Sequence, residues 1–247
     1  MRRQLSGKHI WLVGASTGIG RELAFELNRR GARLTLSARS DDRLLDLKKQ
    51  LGNDTSVKQL DVTNVAAVKE LASKIEDLHG VVYLAAAYNP ESGDEQMDSS
   101  QINNTVSVNL TGAIHLVNAI RDKLSGKESS FIALYASIAG YRGLPNGQPY
   151  SATKAGLINY AESLRTDLKG KVDVKVINSG FVDTRLTQQN RFSMPMLMTP
   201  AEAAVKIADG LEKHSFEICF PTRFALAAKF MRILPNWLFF RIANRLK

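Results

Sequence analysis

The chain has a single cysteine, Cys219, in 247 residues, which excludes an intrachain disulfide framework. Histidine is nearly as scarce. His9, His79, His115 and His214 are scattered, and with one thiol they offer no zinc-type spacing. No stretch is long and apolar enough to predict a membrane-spanning helix. The opening MRRQLSGKHIWLVGAS has only a short apolar run, ending at Gly14, and does not read as a signal peptide. No low-complexity linker, internal repeat or second domain is legible. These absences point to a soluble protein of a reducing compartment, the cytoplasm. Apolar residues make up 44% and charged residues 23%, close to the globular average, so long-range disorder and fibrous repeats are excluded.

Acidic residues are absent from the last stretch of the chain. Residues 221–247 hold Arg223, Lys229, Arg232, Arg241, Arg245 and Lys247 and no acid, which is +6 of the net +9. The remainder is nearly balanced and shows no basic face interleaved with stacking aromatics, so no nucleic-acid partner is expected.

What is present is an alternation of short β-rich runs with helical patterns, as in βαβ units. His9–Val13 is an apolar strand leading into a glycine loop. Ile19, Leu23 and Leu27 recur at four-residue spacing and predict a helix that stops at Gly31. Strand Arg33–Ala38, helix Asp41–Leu51, strand Val57–Val62 and helix Val65–Leu78 follow. Val81–Ala87 reads as a central parallel strand. Residues 101–124 predict one long helix, Ser130–Ser137 a strand, and Tyr150–Leu168 a helix. Val172–Asn178 and Phe216–Phe220 are two more strands, with helix Ala201–Leu211 between them. The expected fold is α/β: a single-domain, Rossmann-like, doubly wound parallel sheet of about seven strands with helices on both faces.

Two local patterns carry chemistry. Gly14-Ala15-Ser16-Thr17-Gly18-Ile19-Gly20 follows the first strand and opens a helix, the logic of a dinucleotide fingerprint. Gly14 permits the tight turn, Gly18 lets backbone approach a pyrophosphate, and Gly20 lets helix pack on strand. The helix N-terminus then offers free N–H groups to the phosphate. A ligand-free glycine turn is the competing reading. In Tyr150-x-x-x-Lys154 the four-residue spacing puts both side chains on one helix face. An ammonium beside a phenol favours phenolate, so the pair is expected to draw the tyrosine toward neutrality, fit for proton exchange with an alcohol oxygen. A solvated surface pair is the alternative. Ser137, at a strand's carboxyl end where α/β sheets place ligands, favours the chemical reading.

Together, Gly14–Gly20, Asn109, Ser137, Tyr150 and Lys154 resemble the classical short-chain dehydrogenase/reductase family over about residues 6–220. The resemblance implies that Tyr150 is the general acid/base and that Ser137 holds the substrate carbonyl or hydroxyl. It implies that Lys154 contacts the nicotinamide ribose and lowers the tyrosine pKa, while Asn109 supports a water-linked relay to Lys154. A buried amide at a local kink is the other reading of Asn109. The resemblance further places Asp61 at the adenine, a helix N-terminal acid being its other reading, Val182 and Thr184 in the stretch at the carboxamide, and Val62, Ala85, Ala86 and Gly180 among the cofactor-binding residues.

The sequence departs from the family twice. Leu84-Ala85-Ala86-Ala87 stands for Asn-Asn-Ala-Gly, removing the asparagine hydrogen bonds. Ser179-Gly180 stands for Pro-Gly, which is expected to loosen the turn. At the end of the second strand no acid follows, and Arg39 offers a planar charged fork suited to a 2′-phosphate, so NADP is expected over NAD. Phe192–Met198, with three of the six methionines, reads as an adaptable substrate cover or as a small surface contact.

The domain plan is a catalytic dinucleotide-binding unit over 1–220 and a basic amphipathic extension over 221–247. The extension holds Phe224, Phe230, Trp237, Phe239 and Phe240 and is divided by Pro235. It reads as a peripheral membrane-surface element or as helices packed on protein. The expected activity is an NADP-dependent oxidoreductase interconverting a carbonyl and an alcohol on an apolar small-molecule substrate, in a homodimer or homotetramer. The alternative is a catalytically silent NADP-binding protein that associates with membranes.

Overall fold

In a computed structural model of the chain, residues 3–52, 54–89, 98–143, 145, 147–190 and 193–245 are described. Seven strands form one parallel sheet: β1 His9–Val13, β2 Arg33–Ala38, β3 Thr55–Gln59, β4 Gly80–Tyr83, β5 Phe131–Tyr135, β6 Asp173–Ser179 and β7 Glu217–Phe220. Their order is β3-β2-β1-β4-β5-β6-β7, so the winding direction reverses between β1 and β4. That reversal opens a crevice at the strands' carboxyl ends, where such sheets bind ligands.

Both sheet faces are dry, because the strands alternate apolar residues between two cores. Trp11 and Val13 of β1 face a layer that includes α3 (Val65–Lys74), α5 (Gly112–Leu124) and α6 (Tyr150–Asp167). Ile10 and Leu12 face the opposite layer, with α1 (Gly18–Arg29), α2 (Asp41–Leu51) and α7 (Pro200–Leu211). A sheet buried on both faces needs such apolar runs, which is why these strands read as continuous hydrophobic segments.

The differences from expectation fall at element ends. β4 stops at Tyr83, and Leu84–Ala87 leaves the sheet as a loop instead of continuing the strand. β3 ends at Gln59, so Leu60 and Val62 turn into the core from a loop. The third helix ends at Lys74; the chain turns at Asp77, whose φ is 49°, and Leu78 packs from outside the helix. β6 runs through Ser179, which pairs in register with Phe220, and its hydroxyl lies 2.5 Å from that of Tyr135. The turn after β6 is therefore fixed by an added strand residue rather than loosened.

The long helix predicted over 101–124 is interrupted. After α4 (Ser99–Val106), residues Ser107–Thr111 make a π turn before α5 begins. Asn109 sits in that widened turn, a form of local irregularity common at functional sites.

The extension forms two helices, α8 (Thr222–Ile233) and α9 (Asn236–Ala243), on either side of Pro235. One face of each packs on the body of the same chain. Ala225 and Ala228 join the α6-side core, and Phe239 is 3% exposed. Arg142 stacks its guanidinium on Phe239 at 3.9 Å and donates to the carbonyls of Met231 and Leu234 at 2.9 and 2.7 Å. Lys229 pairs with Glu217, which also accepts from Tyr141 and Asn178.

Candidate active site

The site is assembled at the carboxyl ends of β1, β4, β5 and β6. Gly14 leaves β1 with φ 94°, and a Cβ there would meet the Ala85 nitrogen at 2.6 Å. A Cβ on Gly20 would lie 2.0 Å from the Gly14 carbonyl oxygen, so α1 approaches its own loop at a distance only glycine permits. Gly18, with φ 54°, faces Thr184: a Cβ there would stand 3.2 Å from Thr184 Cγ2. The glycine loop and the segment after β6 thus meet across the crevice.

The first turn of α1 carries no side-chain cap at Thr17. Its N–H groups and the positive end of the helix dipole are left for an anion, which is the arrangement a pyrophosphate uses. Ser16 and Thr17 stand on this loop, while Ile19 buries its side chain in the core and has only backbone to offer. Val62 likewise points into the core. Asp61 Oδ1 accepts from Thr63 N and Oγ1 at 2.9 and 2.7 Å, bonds that hold its carboxyl below the usual range, with Arg39 adding to the effect. Arg39 lines a cavity of about 230 Å³ with Ala86, Ala87, Tyr88, Gln101 and Leu186. Among the described residues no carboxylate forms an ion pair with it. The uncapped helix start, the glycine cradle and this cation fit a dinucleotide.

The reactive groups lie beside that cradle. Ser137 caps a short 3-10 turn, accepting from Ala139 N at 3.1 Å and donating to Ser179 O at 3.5 Å, and its hydroxyl acts on the Tyr150 phenol electrostatically, favouring the ionised form. Lys154, one helical turn on, is 1% exposed. Its Nζ donates to the Tyr135 carbonyl at 2.6 Å and lies 5.4 Å from the centroids of both the Tyr135 and Tyr150 rings. Burial governs both groups. It holds the Tyr150 phenol well above the ordinary phenol range, opposed by the Ser137 hydroxyl, and brings Lys154 down to about 7. In this structure desolvation outweighs the neighbouring lysine as an influence on the phenol.

Asn109 is fully buried, and its amide clamps two other elements. Oδ1 accepts from Ala87 N at 2.7 Å, while Nδ2 donates to Ala87 O at 2.9 Å and to Thr153 Oγ1 at 3.2 Å. It therefore fixes the loop after β4 against α6, one residue from Lys154. Gly180 donates its N–H to Phe220 O at 2.7 Å, and a Cβ there would meet the Phe224 ring at 2.9 Å. Its bareness serves the packing of α8 as well as the crevice. Val182 bridges to Met198, closing the base of the segment that follows β6. Phe192 lies outside the described residues; Met194 accepts from Asn190 Nδ2 at 3.3 Å, and Met196 is half-exposed.

Tyr88, which no motif spacing singles out, stands at the reactive phenol, with Asn190 behind it. The Tyr88 ring meets the Tyr150 ring edge-on at 5.0 Å, and its hydroxyl donates to Asn190 Oδ1 at 2.6 Å. The signal was the placement of Tyr88 directly after the alanine loop, a position whose neighbours only the fold reveals.

The short chain dehydrogenase sequence model matches residues 8–194. A protein of Myxococcus xanthus described as an uncharacterized oxidoreductase is 32% identical over 251 aligned positions, covering 99% of each chain. The 11-beta-hydroxysteroid dehydrogenase-like 4A protein of Arabidopsis thaliana is 29% identical, covering 94% of this chain and 80% of its own. Among solved structures, a short chain dehydrogenase from Burkholderia cenocepacia in complex with NADP superposes with a TM-score of 0.85 at 24% identity. That likeness covers 97% of this chain and 98% of the other.

The buried lysine makes stability depend on pH in a stated direction. Its folded pKa, about 7, lies below the unfolded value near 10.4, so between these limits the unfolded chain binds the extra proton. Stability should rise with pH across that window, and the penalty is complete below it. In Lys154→Met this contribution disappears. Denaturant unfolding at pH 7 and pH 9 should show the wild type gaining on the variant by up to about 1.4 kcal/mol per pH unit. Parallel curves for the two proteins would contradict a depressed Lys154.

Proposed function

The chain belongs to the short chain dehydrogenase family, and on that premise we propose that it is an NADP-dependent oxidoreductase interconverting a carbonyl and an alcohol on an apolar substrate. The carrying observation is the half-buried Ser137 and Tyr150 with the buried Lys154, one helical turn on, beside an uncapped glycine loop. Gly14, Ser16, Thr17, Gly18 and Gly20 would hold the pyrophosphate, Arg39 the 2′-phosphate, Asp61 the adenine, and Lys154 the nicotinamide ribose. Bound NADPH supplies the hydride for the carbonyl carbon.

The chain's own part is to orient the oxygen and move its proton. Ser137 Oγ and the Tyr150 phenol converge where a carbonyl oxygen would sit, and Tyr150 delivers the proton as that oxygen becomes an alcohol. Hydroxyl acceptors placed at Lys154 Nζ would favour its charged form, and a charged Lys154 would lower the phenol. Asn109 holds Ala87 and Thr153 still, which keeps the cofactor loop and the proton-transferring helix in register. A catalytically silent binding protein has no need of this cluster and is not favoured. The relative named for hydroxysteroids supports an apolar substrate. Exposed Ala152, Ala155 and Asn159 give α6 a small-residue face suited to a homodimer or homotetramer, which sedimentation of the full chain reads directly.

We propose further that residues 221–245 rest on an anionic membrane surface. While one face of α8 and α9 packs on the body, Leu226, Phe230, Ile233, Trp237 and Phe240 are 58–76% exposed, flanked by exposed Arg223, Arg232, Arg241 and Arg245. A second copy would bring the same positive face, whereas anionic lipid complements it. No helix of the described residues is long and apolar enough to cross a bilayer.

Three outcomes check these assignments. Tyr150→Phe should lower NADPH-dependent carbonyl turnover about 10²–10⁴-fold with cofactor binding nearly intact, measured by steady-state kinetics and NADPH fluorescence. Retention of most turnover would remove Tyr150 from the role. Arg39→Asp should weaken NADPH by about 1.5–3 kcal/mol while changing NADH little; equal wild-type affinities for both would refute the preference. Vesicles with phosphatidylserine should sediment the full chain at low salt, gaining up to about 1 kcal/mol per basic residue, and release it as salt rises. Trp237→Ala with Phe230→Ala should abolish that binding without lowering the thermal midpoint, and binding equal to wild type would exclude the tail as the contact.

A further inference from the structure

Tyr88 is held in place more firmly than a loop residue after an interrupted strand would be. The preceding residue, Ala87, has both its N–H and its carbonyl bonded by the buried Asn109 amide, at 2.7 and 2.9 Å. The backbone entering Tyr88 is therefore set by the same clamp that fixes α6. From there the ring meets Tyr150 edge-on at 5.0 Å, within the range of favourable aromatic pairs. Its hydroxyl reaches across the crevice to Asn190, 102 residues on, and Asn190 in turn donates to the Met194 thioether. Half-buried, the Tyr88 phenol is held above its ordinary range by desolvation.

We propose that Tyr88 and Asn190 form the substrate wall facing Tyr150, and that this wall selects uncharged carbonyl compounds with a flat apolar skeleton. The inference rests on the oxidoreductase reading above and names its substrate class. A ring edge, a neutral amide and a thioether make up this wall, and none of them carries charge. Arg39, which shares a cavity with Tyr88, is taken by the cofactor phosphate in the reading above, and these three groups give the charge of a carboxylated or phosphorylated compound no partner. Because the Tyr88 hydroxyl and the Asn190 amide satisfy each other, the wall stands ready without demanding a polar group from the substrate. A flat skeleton lies along the Tyr88 ring with its carbonyl at Ser137 and Tyr150, and a broad one collides with that ring. Tyr88 acts on specificity; the proton transfer stays with Tyr150.

The test compares kcat/KM for benzaldehyde, benzophenone and 4-carboxybenzaldehyde with NADPH in the wild type, Tyr88→Phe and Tyr88→Ala, full chain throughout. The wild type should prefer benzaldehyde to both others. Tyr88→Ala should shift the benzaldehyde-to-benzophenone ratio at least about tenfold toward benzophenone, the scale on which pocket shape discriminates. Tyr88→Phe keeps the ring and should preserve that ratio, with KM raised for both because the Asn190 bond is lost. NADPH affinity should be unchanged in both variants. Equal losses on both substrates in Tyr88→Ala, or a wild type that prefers the carboxylated aldehyde, would overturn the proposal. Calorimetric binding of benzaldehyde to the NADPH complex of Tyr150→Phe, with and without Tyr88→Ala, reads the wall without turnover. Unchanged affinity there overturns it. Binding lost with Tyr88→Ala, in a wild type that turns over no carbonyl, upholds the wall and rejects the oxidoreductase reading.

Discussion

The site depends on a buried amide that makes three hydrogen bonds to parts of the chain that local structure would leave independent. Asn109 holds Ala87 by both backbone groups and Thr153 by its hydroxyl. An asparagine with no solvent contact must find such partners, because an unpaired buried amide costs about 1–3 kcal/mol. Meeting that requirement fixes the loop after β4, the start of α6 and the widened turn in one rigid unit. Lys154 lies next to Thr153, and Tyr88 lies next to Ala87. One residue thereby sets the relative positions of the proton-transfer groups and the wall opposite them.

Much of this arrangement was legible in the sequence, and the reasons differ by element. β1 and β2 were read with their observed bounds because both of their faces are dry and their apolar runs end at glycine or at polar residues. The glycine loop, Ser137, Tyr150 and Lys154 were legible because their spacing reflects close approach and helical periodicity. The end of β4 was not. Leu84–Ala87 is as apolar as a strand; Leu84 still donates to Val13 O, and by Ala87 the backbone is bonded by the distant Asn109 instead of a neighbouring strand. The widened turn was hidden for a related reason, since the 3-4 spacing of apolar residues around it tolerates one added residue. The depth at which Lys154 lies was not legible, because spacing shows proximity and not burial, and desolvation acts on both groups here.

The extension shows how charge can bind one face of a helix while leaving the other free. Glu217 on β7 gathers Lys229, Tyr141 and Asn178, and Arg142 ties the α8–α9 junction by its carbonyls and by the Phe239 ring. Both anchors sit between β5 and α6, or on the strand at the sheet's edge, so the extension is docked near the walls of the crevice. Phe224 continues that contact by lying against Gly180 and 5.7 Å from the Phe181 ring.

The π turn has a consequence for helical phase. A residue added to a helix rotates everything beyond it by about 100°. The buried positions Thr105, Val108, Asn109, Gly112, Ala113, Leu116, Val117 and Ile120 nonetheless keep three- and four-residue steps across it. The wide turn thus sets one amide into an otherwise mostly apolar stripe without breaking the stripe, and that amide is the group that reaches the loop after β4.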